Sequence, residues 1–244
     1  MKLSFSLVIF LATTLTSTAI GQTIRFADGP GGNSGGEFRA RIAGVTPHFT
    51  APLAGSAPGG SGGSEFMTFC IELGEFLDFS NAFDYSLGSS SIGGGVGGGS
   101  PDLLAQQSAY LYRLFATGSL SSYDYTGGTR ANSANALQAL FWTIEGEVTY
   151  NSTNGEFRRS DNSALVGTLS AAEQGLYTTW NSLAFSNTED YGVRVVNATL
   201  NNNNAQSVLV LIPLPPAAWA GIGTLGGLAV LGSVRRRRNE RAGV

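Results

Sequence analysis

Short stretches of strict alternation between apolar and polar positions organise the first half of the chain. Thr23–Ala27 and Glu37–Ala43 carry the period of two expected of half-buried strands. The cluster Asp28-Gly29-Pro30-Gly31-Gly32-Asn33 between them predicts a turn. Glu65–Leu73 alternates throughout, with Phe66, Thr68, Cys70 and Glu72 on one side and Met67, Phe69, Ile71 and Leu73 on the other. Phe83–Leu87 predicts a short strand. The period then lengthens. Leu103, Leu104, Gln107, Leu111, Leu114 and Phe115 fall near helical spacing, with Ser100 as cap, Pro101 at the first helical position and Asp102 in the first turn. Leu137, Leu140, Phe141 and Ile144 form the apolar stripe of a second helix over 130–147. Ser170-Ala171-Ala172-Glu173 is a capping box opening a third helix to about Leu183. Tyr191–Leu200 and Gln206–Ile212 return to strand pattern. Ala51–Ser64 reads as a long loop and Gly88–Ser100 as a flexible linker. Strands, then helices, then strands predict an α+β fold: a β-sandwich or β-barrel with an inserted helical subdomain.

The two ends follow a different pattern. Met1-Lys2 is a short positive start, Leu3–Leu15 is mostly apolar, and Ala19-Ile20-Gly21 fits a small-x-small cleavage site. Residues 1–21 are therefore expected to be a signal peptide, too short in its apolar part to span a bilayer. At the other end, Pro213-Leu214-Pro215-Pro216 precedes 18 uncharged residues, Ala217–Val234, and then Arg235, Arg236, Arg237 and Arg238. As a helix, that run reaches about 27 Å, close to the hydrocarbon thickness. The arginines resist crossing and act as a cytoplasmic stop, leaving residues 22–212 outside.

Composition narrows the chemistry. Charged residues are 13% of the chain, and Gly contributes 34 of 244 residues. With 1 Cys and 1 His, a disulfide framework within the monomer and multi-Cys metal centres are excluded. Region 22–212 holds 8 basic and 16 acidic side chains and no Lys, giving a charge near −8 that argues against nucleic acid.

The carboxy-terminal order of motif, apolar helix and arginine run resembles the PEP-CTERM sorting signals read by exosortases in Gram-negative bacteria. Pro213-Leu214-Pro215-Pro216 stands where the family usually has Pro-Glu-Pro and looks like its Pro-Leu-Pro variants. The resemblance implies signal peptidase and exosortase as partners. It also implies transient membrane anchoring through 217–234 and release or transfer to the cell surface after cleavage near 213–216. A permanent single-pass anchor is the alternative.

Two internal patches resemble the halves of bacterial Cys–Gln thioester domains: Phe69-Cys70-Ile71-Glu72 on a predicted strand, and Leu137-Gln138-Ala139-Leu140-Phe141-Trp142 on a predicted helix. In that family, the Cys sulfur and the Gln side-chain carbonyl join with loss of ammonia. The resemblance implies a thioester between Cys70 and Gln138 and covalent capture of a nucleophile on a surface, polysaccharide or protein. The residue types suit the chemistry, because thiolate is a strong nucleophile and a carboxamide held in attack geometry can become an acceptor. The alternative is that Cys70 is a buried small apolar residue and Gln138 an ordinary helix residue.

Other candidates carry less. Glu72 with Glu75, and Glu145 with Glu147, could bind calcium or act as acid–base pairs. Their spacing on a strand and on a helix argues against pairing, so no metal or cofactor is expected. His48 lacks a nucleophile motif, and no G-x-S-x-G is present. Asn151 and Asn197 match the glycosylation pattern by chance. Trp142 and Trp180 are expected in the core, and Tyr123-Asp124-Tyr125 as an exposed patch that could stack on sugars. The expectation is an exported surface or matrix protein, not an enzyme, acting either as a covalent adhesin or as a non-covalent structural or carbohydrate-binding module.

Overall fold

Pairing of the alternating segments gives the fold its frame in a computed structural model that describes residues 23–32, 35–42, 65–185 and 191–212. The signal-peptide cleavage site at Gly21, His48, the motif Pro213–Pro216, the apolar run 217–234 and Arg235–Arg238 lie outside the described residues. Among the described residues, no helix is long and apolar enough to cross a membrane. The chain runs through β1 (Thr23–Gly32), β2 (Gly35–Ile42), β3 (Glu65–Thr68), β4 (Phe83–Gly88), β5 (Ser90–Ser91) and β6 (Asp102–Leu103). It continues through α1 (Gln106–Ala116), α2 (Arg130–Ile144), β7 (Val148–Tyr150), β8 (Glu156–Arg159), β9 (Leu165–Thr168), α3 (Ala171–Ala184), β10 (Val193–Leu200) and β11 (Asn203–Leu211). The architecture is α+β.

The main sheet is antiparallel, in the order β11-β10-β4-β1-β2-β3. β1 and β2 stay paired from Ile24 opposite Ile42 out to Gly32 opposite Gly35, across a bulge between Asp28 and Gly31. The expected turn at 28–33 is therefore mostly strand, because facing glycines let the two backbones approach. Past Thr68 the chain leaves β2 and pairs with β11. Ile71 N–H donates to Ser207 O at 3.1 Å, Leu209 N–H donates to Phe69 O at 3.3 Å, and Cys70 bridges opposite Val208. The two edges of the sheet thus meet through residues 69–71. That change of partner is why the strand expected over 65–73 ends at Thr68.

Alternation sorts side chains to two cores. Ile24, Phe26, Ala40, Ile42, Phe66, Phe83, Val196 and Val208 pack together on one face. Met67, Phe69, Ile71, Val195 and Leu209 join the other, against the helices. There the Phe69 ring meets Phe115 at 4.9 Å and Phe141 at 5.3 Å between centroids.

The helices differ from expectation in instructive places. α1 starts at Gln106, because Asp102–Leu103 pair with Ser90–Ser91 and Leu104 N–H donates to Ser89 O. Leu103 is consequently exposed rather than part of a stripe. α2 ends at Ile144, and Gly146 at φ +84° turns Glu145 and Glu147 away from the helix. α3 has its capping box: Glu173 N–H donates to Ser170 Oγ and Ser170 N–H donates to Glu173 Oε2. The sheet β7-β8-β9 was not expected, its strands of three and four residues being too short for alternation to register. Gly88–Ser100 is no free linker, because Ile92, Val96 and Gly97 N–H groups donate to Asn197 and Glu147 side chains.

A buried ion pair fastens α2 to β2. Arg130 Nη2 reaches Glu37 Oε2 at 2.5 Å and Nε reaches Oε1 at 2.9 Å, and the Tyr123 hydroxyl donates to the same carboxylate. Arg130→Ala would leave Glu37 buried without its cation, an expected cost of about 3–5 kcal/mol in urea unfolding. Arg158→Ala, whose pair with Glu156 is only partly buried, is expected to cost under about 1 kcal/mol in the same measurement.

Candidate functional site

Cys70 lies where the sheet changes partners, and its own peptide groups point away from β11. Beyond Phe38 opposite Thr68, β2 no longer supplies a ladder partner. Gln138 from α2 fills that role. Cys70 N–H donates to Gln138 Oε1 at 3.2 Å, and Gln138 Nε2 donates to Cys70 O at 2.8 Å. The carboxamide thus replaces a missing strand residue, and both residues are buried. β2 makes room because residue 35 is Gly. A Cβ there would sit 2.7 Å from both Gln138 Cγ and Trp142 Cη2, and its φ of +130° suits only glycine. The two residues singled out in the sequence are therefore together in space, and the contact runs through the peptide groups of Cys70.

Burial pushes the Cys70 thiol well above its usual pKa, and the Glu75 carboxylate adds to this. Cys70 is neutral at pH 7. Glu75 is itself raised, mainly by burial, while Ser207 N–H donates to its Oε2 at 2.8 Å. Sequence reasoning did not connect Glu75 to Cys70, because the link depends on the turn at Gly74, φ +104°. A cleft of about 550 Å³ opens beside them, lined by Cys70, Glu75 and Trp142 and bordered by Phe76, Phe79 and Leu165. These three border residues are exposed.

Glu72, Asp102 and Glu147 meet next to this segment, one carboxylate oxygen of each within 4.8 Å of the others. The pairings weighed in the sequence were within 72–75 and within 145–147; the fold instead joins residues across three segments. Glu147 is fully buried and accepts N–H bonds from Leu73 at 2.8 Å, Val96 at 2.7 Å and Gly97 at 2.9 Å. Burial raises Glu72 from about 4.5 to about 7; the Ser91 hydroxyl works against this, and Glu147, Glu75 and Asp102 reinforce it. Burial likewise raises Glu145 to about 7, opposed by the nearby Ser108 hydroxyl and by the Ala105 N–H that donates to Oε2 at 3.2 Å, and reinforced by Asp102 and Glu147.

Tyr123 corrects the expected exposed patch. It is buried, bonded to Glu37, and stacked on Trp180 with centroids 5.7 Å apart. Tyr125 is half-buried, and Asp124 accepts N–H bonds from Thr126, Gly127 and Thr129. Trp142 and Trp180 are both in the core, as expected. No protein-family model, curated protein or solved structure was found to match this chain.

The clamp predicts an asymmetry. Gln138→Ala strands a buried N–H and C=O and is expected to cost about 2–5 kcal/mol in urea unfolding. Cys70→Ala keeps both peptide bonds to Gln138 and is expected to cost only about 1–2 kcal/mol. A pH dependence follows from the carboxyls. Groups raised in the folded state contribute stability that is complete below about pH 4.5 and lost as pH rises through about 7. In metal-free buffer, the melting temperature is expected to fall over that window, and Glu72→Gln should flatten the fall.

Proposed function

We propose that the chain is an exported cell-surface or extracellular-matrix protein whose region 22–212 captures a nucleophile covalently through a Cys70–Gln138 thioester. The observation that carries this reading is the two-point seating of the Gln138 carboxamide on Cys70, buried beside an open cleft. In bond formation Cys70 Sγ attacks Gln138 Cδ, and charge developing on Oε1 is met by the Cys70 N–H already donating to it. The thiol proton is transferred to Nε2, which leaves as ammonia, and Glu75, the carboxylate that lines the same cleft and whose charge acts on Cys70, is the residue we assign to carry it. An incoming amine then attacks Cδ, the C–S bond breaks, the thiol regains its proton and a new amide remains. Each bond is used once, so capture is stoichiometric and the protein is not an enzyme.

Signal peptidase and an exosortase are the proposed processing partners, with Pro213–Pro216 as the sorting motif and 217–234 as a transient anchor. The meeting of the sheet edges through residues 69–71 supports reading the sheet as a β-barrel with an inserted helical subdomain. A second reading is a non-covalent matrix or carbohydrate-binding module. It is favoured by the use of both polar atoms of the Gln138 carboxamide as a ladder cap and by exposed Phe76 and Phe79 at the cleft.

Intact-mass measurement separates the two. The thioester predicts a chain lighter by about 17 Da, the mass of ammonia, with Cys70 blocked to alkylation and Gln138 modified by added methylamine. Cys70→Ala should restore the unmodified mass and abolish the adduct. A full mass with a thiol that alkylates once the chain is unfolded leaves the second reading.

A further inference from the structure

The Glu72–Asp102–Glu147 group adjoins the segment that carries Cys70, and the Cys70–Gln138 reading does not use it. Its members come from the segment after β3, from β6 and from the turn after α2, so only the tertiary fold assembles them. Glu147 is held rigid by three backbone N–H bonds. Independently of this clustering, Glu72 Oε2 and Asp102 Oδ2 have no hydrogen-bond partner among the described residues, although Glu72 is only 1% exposed. An orphaned, buried carboxylate oxygen costs free energy unless something positive meets it.

The orphaned oxygens face the loop Gly93–Gly99. A Cβ at Gly95 would overlap Glu147 Oε2 and Glu72 Oε2, and one at Gly98 would overlap Asp102 Oδ2. Glycine here keeps main chain close to the carboxylates: Val96 and Gly97 N–H groups hold Glu147, while Glu72 Oε2 and Asp102 Oδ2 stay open beneath the loop. The glycine-rich composition, read in sequence as a linker, is what a tight cover over a cation requires.

We propose that Glu72, Asp102 and Glu147 bind a calcium ion under the Gly93–Gly99 loop. An all-oxygen donor set suits a hard cation, and Ca–O distances of about 2.3–2.6 Å let one ion bridge oxygens up to about 5 Å apart. Magnesium, at about 2.1 Å, spans less. The remaining coordination positions fall to main-chain carbonyls or water. The ion ties the segment that carries Cys70 to the end of α2 and to the loop, bracing the cleft from behind.

The test uses the purified protein stripped with a chelator, titrated with calcium chloride or magnesium chloride by calorimetry and melted in each. Calcium is expected to bind with Kd of about 10⁻⁴–10⁻³ M and to raise the melting temperature by about 5 °C. Asp102→Asn, which alters one orphaned oxygen, should weaken binding at least about tenfold while leaving the melting temperature in chelator unchanged or higher. Glu72→Gln should do the same and guards against a local effect at residue 102. Absence of calcium heat and of any melting shift overturns the site, as does an undiminished response in both variants. An equal response to magnesium overturns the assignment to calcium. None of these readouts depends on the mass of the Cys70–Gln138 pair, so this site and the thioester stand or fall separately.

Discussion

One side chain completing another residue's backbone holds this structure together. Residues 69–71 lie between two strands that cannot both serve them, and β11 takes one side. Peptide groups left on the other side would be buried and unmet, a cost of about 1–3 kcal/mol each. The Gln138 carboxamide has the donor and acceptor of a peptide unit and satisfies both. This fixes the position of α2 over the sheet and explains why Gly35 must lack a side chain. It also brings the carboxamide carbon near the thiol-bearing residue, so a structural need and a chemical opportunity coincide at one contact.

Around that contact the fold concentrates negative charge. Glu72, Glu75, Asp102, Glu145 and Glu147 come from segments distant in sequence, and the charged groups acting most strongly on Glu72 are other carboxylates. Buried like charges are tolerated only if they are protonated, bonded or neutralised by a cation. Glu147 is bonded by the backbone, whereas Glu72 and Glu145 have pKa values driven toward neutrality. Glu37 took the other route, with Arg130 and Tyr123 closing around it. The contrast separates a structural charge, fully paired, from charges left with open oxygens beside a cleft.

Much of the element pattern was legible. Alternation located β1, β2, β4 and β10, and the Ser170 box located the start of α3, because those signals are local. Cys70 and Gln138 could be singled out by residue type and flanking apolar positions. Asp102 could not, because it looked like a first-turn residue of a helix, and only pairing of 102–103 with 90–91 turns it toward Glu147. Tyr123 looked exposed because it sits among Ser, Asp and Gly; its burial follows from Trp180 and Glu37 arriving from elsewhere.

By itself, the sequence determined the periodicity of strands and helices, the α+β class, and the rarity of reactive groups: one thiol, one imidazole and few cations. These are properties of neighbours along the chain and of counting. The tertiary structure alone decided that residues 69–71 exchange β2 for β11, that Gln138 stands in for the lost strand, and that three distant carboxylates converge under a glycine loop. Each of these depends on which buried backbone and carboxylate groups find partners, and that is settled only when segments far apart in sequence compete for the same hydrogen bonds.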